Sequence, residues 1–467
     1  MVAFSIKRQI SFMILILLIK FSKLNENIYR LPIGLYNALE ESTEKDLIKS
    51  IFHNFIYVNL SIGTPPQIIP FHIDINSQTF YVSKKFFNRS ASSTYEQISK
   101  NETTYYHENI ITGFNSKDIL EINGIKKKIN FIFETRHDKS NELGCLGLLI
   151  PTKLQSEVYS FSRSLIQGGF IQSFIWTLKF NNNLNILDMI YIEEEENDII
   201  GELIIGDDPH NYEENKIIYN ESLYLKSNAI WSENEINWDI FFNSIYLTFN
   251  ENQTNLKNEK SHIIYVHGEN QVVLNPDIGF IVGPTQFYHI IKLHFFDKYS
   301  SVCSQYRIEN TLFRVLECKN TNNFNVSSFP NITFELRNVT FTLTYKDLFL
   351  FDTKLNKYIF LILQEGYIGN WILGRIFFSK YQFTFNELEK TIGYYVPADD
   401  SKKEILNLDK NKIIEYIVYI LQIIFIFAII IFALFEFYTK CHSSNRKKRL
   451  NELEEENISN ENLLKEK

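Results

Sequence analysis

The chain lacks the patterns that mark several common chemistries. It has no H-E-x-x-H, no Cys/His cluster at metal-ligand spacing and no Gly-rich phosphate loop. Metalloprotease, structural-zinc and phosphate-cradling chemistries are therefore excluded as readings, and no metal or cofactor is expected. Gly and Pro are scarce, 17 and 10 among 467 residues, whereas strand-favouring Ile, Phe and Tyr are abundant. The net charge is only −8, with acidic groups spread along the chain. That balance argues against a nucleic-acid surface and for an ordinary solvated exterior. The length suffices for two domains with their own cores.

Cysteine is also rare, with four in the chain. Cys303 and Cys318 lie close together and form the expected disulfide of an oxidising compartment. A loop of that size stabilises by about 3 kcal/mol in the chain-entropy picture. Cys145, within the apolar run Gly144-Cys145-Leu146-Gly147-Leu148, reads as a buried thiol. Cys441 sits beside a membrane segment, where acylation and an unmodified thiol both stand open.

Both ends carry membrane signals. Lys7 and Arg8 precede an apolar run from Ile10 to Ile19 closed by Lys20, the pattern of a secretory signal peptide over residues 1–22; an uncleaved anchor is the competing reading. From Tyr416 to Tyr438 only Gln422 and Glu436 interrupt an apolar stretch long enough to span a bilayer. Lys440 and Arg446 to Arg449 follow, so the positive-inside rule puts the tail, residues 439–467, in the cytosol. The expectation is a single-pass type I membrane protein whose ectodomain faces the secretory lumen or the cell exterior. Sequons at Asn59, Asn88, Asn101, Asn220, Asn252, Asn325, Asn331 and Asn338 all fall on that side. Asn59, inside an expected strand, is the one set apart as an unmodified candidate.

The organising stretch runs from Phe71 to Ser83. An apolar, β-prone run delivers Asp74 into a turn, and a second aromatic run leads away. Upstream, Tyr57 to Ile62 is a strand that ends in the turn Gly63-Thr64-Pro65-Pro66-Gln67. Together these resemble the N-terminal signature of pepsin-like aspartic peptidases, a G-T-P-x-Q turn followed by an apolar strand and Asp-Thr-Gly-Ser. This chain instead reads Asp74-Ile75-Asn76-Ser77. The resemblance continues along the chain. Tyr105 to Gly113 is similar to the family's flap hairpin, which places Tyr106 at the flap tyrosine, although His107 and Asn109 replace the tip glycines. Gly144 to Leu148 resembles the D-G-I-L-G-L segment, with Leu143 for the Asp. Trp371-Ile372-Leu373-Gly374 resembles the closing motif, with Arg375 for an acidic residue.

In the second half, an ungapped alignment of Gln271-Val272-Val273-Leu274 to Gly283-Pro284 with the family pattern puts Asn275 at the second catalytic Asp, followed by Pro276 and Asp277. An alternative register, deleting two residues before Gly283, makes Asp277 that carboxylate. Ser77 keeps the family's hydroxyl and, with Tyr106, is the substrate-binding candidate. His72 is read as structural, on the strand face opposite Asp74.

The resemblance implies a mainly β, bilobal ectodomain with a central cleft. Its divisions are a propeptide-like segment 23–53, an N-terminal lobe 54–230, a C-terminal lobe 231–398, a linker 399–415 and the membrane helix 416–438. The leading functional reading is a pseudoprotease that binds a peptide or protein partner in its cleft. A working endopeptidase using Asp74 and Asp277 is the alternative, and a glycosylated display protein with an unused cleft is the third.

Overall fold

The computed structural model describes residues 28–37, 47–99, 102–106, 109–137, 143–150, 160–181, 199–209, 218–221, 238–249, 262–266, 271–309, 311–336, 339–365 and 370–395, with isolated helical positions at 422, 429, 433 and 451. The chain separates into two units, Met1–Val396 and Pro397–Lys467. The signal segment, the linker, nearly all of 416–438, Cys441, Asn101, Asn252 and Asn338 lie outside the described residues. Among the described residues no helix is long and apolar enough to cross a membrane.

The first unit is almost wholly β. Alternation explains why: along β2 (Asn54–Ile62), Ile56, Val58, Leu60 and Ile62 are buried while Asn59 between them is exposed. Before it come β1 (Tyr29–Asn37) and the short helix α1 (Leu47–His53). The sequence leaves the segment containing β1 as propeptide-like or as an extension adding an edge strand. It is an interior strand: β1 runs antiparallel between β2 and the strand Gly201–Ile205, with Tyr29, Leu31, Ile33 and Leu35 buried. Pairing on both sides satisfies the backbone N–H and C=O groups that an edge strand would leave open.

β3 (Gln67–Asp74) pairs with β2, and β4 (Phe80–Val82) follows the Asp74 turn. Next come the hairpin β5 (Glu102–Tyr106) and β6 (Asn109–Ile122), then β7 (Gly144–Gly147). Tyr106 pairs with Asn109 at the end of this hairpin. These strands belong to a 14-stranded sheet that also takes in Gln382–Asn386 and Thr391–Tyr395 from the end of the second lobe. The return of Gln382–Asn386 to pair with Ile175–Phe180 ties the lobes together. Trp176 stacks on Phe385 at 3.9 Å there, and Trp238 Nε1 donates to Leu148 O at 3.1 Å.

The second lobe builds an eight-stranded and a four-stranded sheet. β8 (Gln271–Leu274), β9 (Ile281–Gly283) and β10 (Trp371–Leu373) form its centre. Cys303 and Cys318 are bonded across facing positions of an antiparallel pair, as the spacing predicts. Cys145 is buried and unbridged. Asn88 and Asn325 are exposed and each accepts a hydrogen bond from the serine amide two residues on, at 3.1 and 3.2 Å. Asn220 and Asn331 lie in strands.

Candidate active site

Two strand–loop–strand units with one plan carry the residues of interest. In the first, β3 lies parallel to β7 with Asp74 opposite Gly147, and β4 returns antiparallel to β7 with Phe80 opposite Leu146. In the second, β8 lies parallel to β10 with Leu274 opposite Leu373, and β9 returns antiparallel with Val282 opposite Ile372. Counting from these pairs, Ile73 matches Leu274 and Phe80 matches Ile281, with loops of equal length between them. Asp74 therefore corresponds to Asn275, and Asn76 to Asp277.

Local hydrogen bonding repeats the correspondence. Asn76 N donates to Asp74 Oδ1 at 2.8 Å, and Asp277 N donates to Asn275 Oδ1 at 3.2 Å. Each is a side chain capping its own turn two residues on, which Asp and Asn do equally well. Both units also need a glycine where the return strand crosses. A Cβ on Gly147 would come within 2.6 Å of Ser77 O, and one on Gly374 would run into the carbonyls of Phe280 and Ile278.

The chemistry of the two loops differs. Asp74 is buried, 3% exposed, and its carbonyl accepts from Leu148 N at 2.8 Å. Ser77 is buried as well, and its hydroxyl accepts from Thr79 N at 3.1 Å within the turn. Asn275 is half-buried, its amide donating to Leu373 O at 2.9 Å. Ile75 and Pro276, next in each loop, are buried and carry no hydroxyl. Tyr106 ends its strand, and its side chain, the candidate for substrate contact, lies outside the described residues.

Asp277 turns toward the first lobe. Its Oδ2 lies 2.9 Å from His72 Nε2, and its Oδ1 accepts from Ile56 N at 3.3 Å. The expectation that His72 faces away from Asp74 is corrected here. His72 and Asp74 are two positions apart, and strand alternation puts such residues on one face. Burial pulls the His72 pKa down, but the charge and hydrogen bond of Asp277, helped by Asp74, outweigh burial and the opposing push of Arg375, leaving it raised. The Phe55 ring covers the imidazole at 4.9 Å between centroids.

Arg375 completes the cluster and is fully buried. Its Nε donates to Pro276 O at 3.2 Å, and its Nη2 donates to Asp277 O at 2.7 Å and Asn54 O at 3.0 Å. Burial lowers its pKa to about 10 against the upward pull of Asp277, so the guanidinium stays charged at neutral pH. The sequence marked Arg375 only as a replacement; its partners at Asn54 and Asp277 come from distant segments. No group of His, Cys, Asp and Glu able to hold a metal ion occurs among the described residues.

Comparison with known proteins places this geometry. The family model described as eukaryotic aspartyl protease matches residues 56–207 and 233–395. A probable aspartic-type endopeptidase OPSB of Arthroderma benhamiae is 29% identical over 153 residues, covering 28% of this chain and 31% of that protein. The alignment with it, and with the same-named protein of Trichophyton verrucosum, thus spans under a third of the relative's length. The renin of Echis ocellatus is 22% identical over 389 residues, covering 76% of this chain and 85% of the renin. That of Canis lupus familiaris is 21% identical over 378 residues, with 76% and 82% covered. With both lobes matched and the paired strand–loop–strand units in place, the chain belongs to the eukaryotic aspartyl protease family.

Proposed function

We propose that this protein is a membrane-anchored pseudoprotease, with a cleft that binds a peptide or protein segment without hydrolysing it. Asn275 carries the proposal. Amide hydrolysis by a carboxylate dyad needs one group to take a proton from water while its protonated partner polarises the scissile carbonyl, after which the roles exchange. Two close carboxylates achieve this because they cannot both ionise, which splits their pKa values. An asparagine can donate a hydrogen bond to a carbonyl but cannot exchange that proton. The position that matches Asp74 in the second unit therefore supplies an amide where the dyad needs a titrating carboxyl.

The surroundings support the same reading. Ile75 and Pro276 supply no hydroxyl to brace the loops. Asp277, the other candidate for a second carboxylate, has both oxygens engaged, by His72 and by Ile56 N. Ligand binding remains compatible with this chemistry, because peptide recognition needs donors, acceptors and apolar walls but no proton shuttle. The apolar segment 416–438 and the basic residues after it support a type I orientation, with the sequons on the lumenal or outer side.

The test is cleavage of an unfolded protein substrate by the purified full-length chain between pH 3 and 6, beside an Asp74→Ala control. The expected result is equal, background activity, since losing one member of a catalytic unit costs on the order of 10⁴–10⁶ in rate. Robust cleavage that is abolished by Asp74→Ala and by Asp277→Ala would overturn the proposal and make those two residues the dyad.

A further inference from the structure

We propose that His72, Asp277 and Arg375 form an inter-lobe clamp that fastens the loop Asn275–Ile281 to the N-terminal lobe and loosens as pH rises. The inference stands on side-chain geometry and does not depend on whether the cleft cleaves or only binds.

Three attachments join that loop to the first lobe. His72 on β3 pairs with Asp277 at 2.9 Å, Ile56 N on β2 donates to the other carboxylate oxygen at 3.3 Å, and Arg375 ties Asp277 O to Asn54 O. Packing holds the same boundary. Ile51 of α1 fills the space beside Gly279, where a Cβ would come within 2.8 Å of its Cγ2. Phe52 packs on Phe313 at 5.2 Å, and Lys49 pairs with Glu309. α1, which leads directly into β2, is thereby packed against the second lobe next to the polar cluster.

The cluster is balanced in charge. The charged groups acting on His72 are Asp277, Asp74 and Arg375; Tyr57 and Cys145 stand opposite it on the two flanking strands, and the Phe55 ring covers the imidazole. With His72 protonated there are two cations and two carboxylates. Once it loses its proton, two carboxylates face one buried guanidinium and the contact across the lobes loses its charge–charge attraction. Because the folded-state pKa of His72 lies above its ordinary value of 6.5, the attachment is fully present below pH 6.5 and is lost as pH rises through the folded value. The clamp is thus closed below pH 6.5 and weakens as pH climbs through the raised His72 value.

The test compares thermal unfolding of the full-length chain in detergent from pH 5.5 to 9 for the wild type, His72→Gln and Asp277→Asn. The wild type should shift toward the unfolded state by up to about tenfold per pH unit while His72 titrates. His72→Gln should remove that slope, and Asp277→Asn should reduce it to the part that Asp74 supports. Hydrogen exchange at pH 6 should quicken at residues 275–281 in both variants and stay unchanged in the Cys303–Cys318 hairpin. Equal pH slopes in wild type and His72→Gln, or an Asp277→Asn slope equal to wild type, would overturn the clamp. Should the variants fail to fold, NMR titration of His72 in the natural chain decides. A value above 6.5 upholds the proposal, and one at or below it refutes the proposal.

Discussion

Replacing Arg375 with methionine isolates what the buried guanidinium contributes. Methionine keeps most of the stem volume and removes every donor. Three carbonyls, those of Pro276, Asp277 and Asn54, then lose a partner. An unsatisfied buried polar group costs about 1–3 kcal/mol, and desolvating the guanidinium was itself unfavourable, which offsets part of the loss. A net destabilisation of about 3–5 kcal/mol follows, in the range seen when one partner of a buried charged network is removed. At about 2 °C per kcal/mol for a chain of this size, the melting temperature should fall by about 6–10 °C. Arg375→Lys should lie between wild type and Arg375→Met, because an ammonium keeps the charge but cannot fork to three carbonyls. Removing the cation also relieves the downward push on His72, so its titration should move to higher pH in Arg375→Met. Differential scanning calorimetry of the full-length chain reads the first effect and histidine NMR the second. A melting temperature within about 1 °C of wild type would refute the reasoning, since it would mean the carbonyls find other donors at no cost.

Two further outcomes are expected. Asn275→Asp alone should restore little cleavage at pH 3–6, because Pro276 and Ile75 still supply no hydroxyl and Asp277 remains drawn to His72; turnover well above the Asp74→Ala control in a peptide-cleavage assay would contradict this. Replacing Cys303 and Cys318 together by alanine should destabilise the second lobe by about 3 kcal/mol, since the bond closes a short loop. An unchanged denaturant midpoint would show that the hairpin Cys303–Lys319 is ordered equally well without it.

Local pattern carried much of the architecture. The alternation from Ile56 to Ile62 marks a strand with one buried face, because strand side chains alternate with period two whatever lies beyond. The runs into Asp74 and Asn275, each closed by turn-forming residues, mark the two strand-to-loop units for the same reason. The spacing of Cys303 and Cys318, in a chain with few other thiols, was enough to pair them. These features depend on neighbours a few residues away, which the sequence displays directly.

Other features were decided only by the folded chain. β1 is an interior strand because Gly201–Ile205, far along the chain, supplies its second partner, and nothing in Tyr29–Asn37 says which strand will arrive there. Arg375 meets Asn54 across 321 residues, a separation over which no periodicity operates. His72 shows both sides of the division. Its face follows from counting two positions to Asp74, which is a local fact. Its partner, Asp277, came from the other lobe, because docking two sheets brings together side chains whose proximity is set by the packing of the whole core and by no stretch within it.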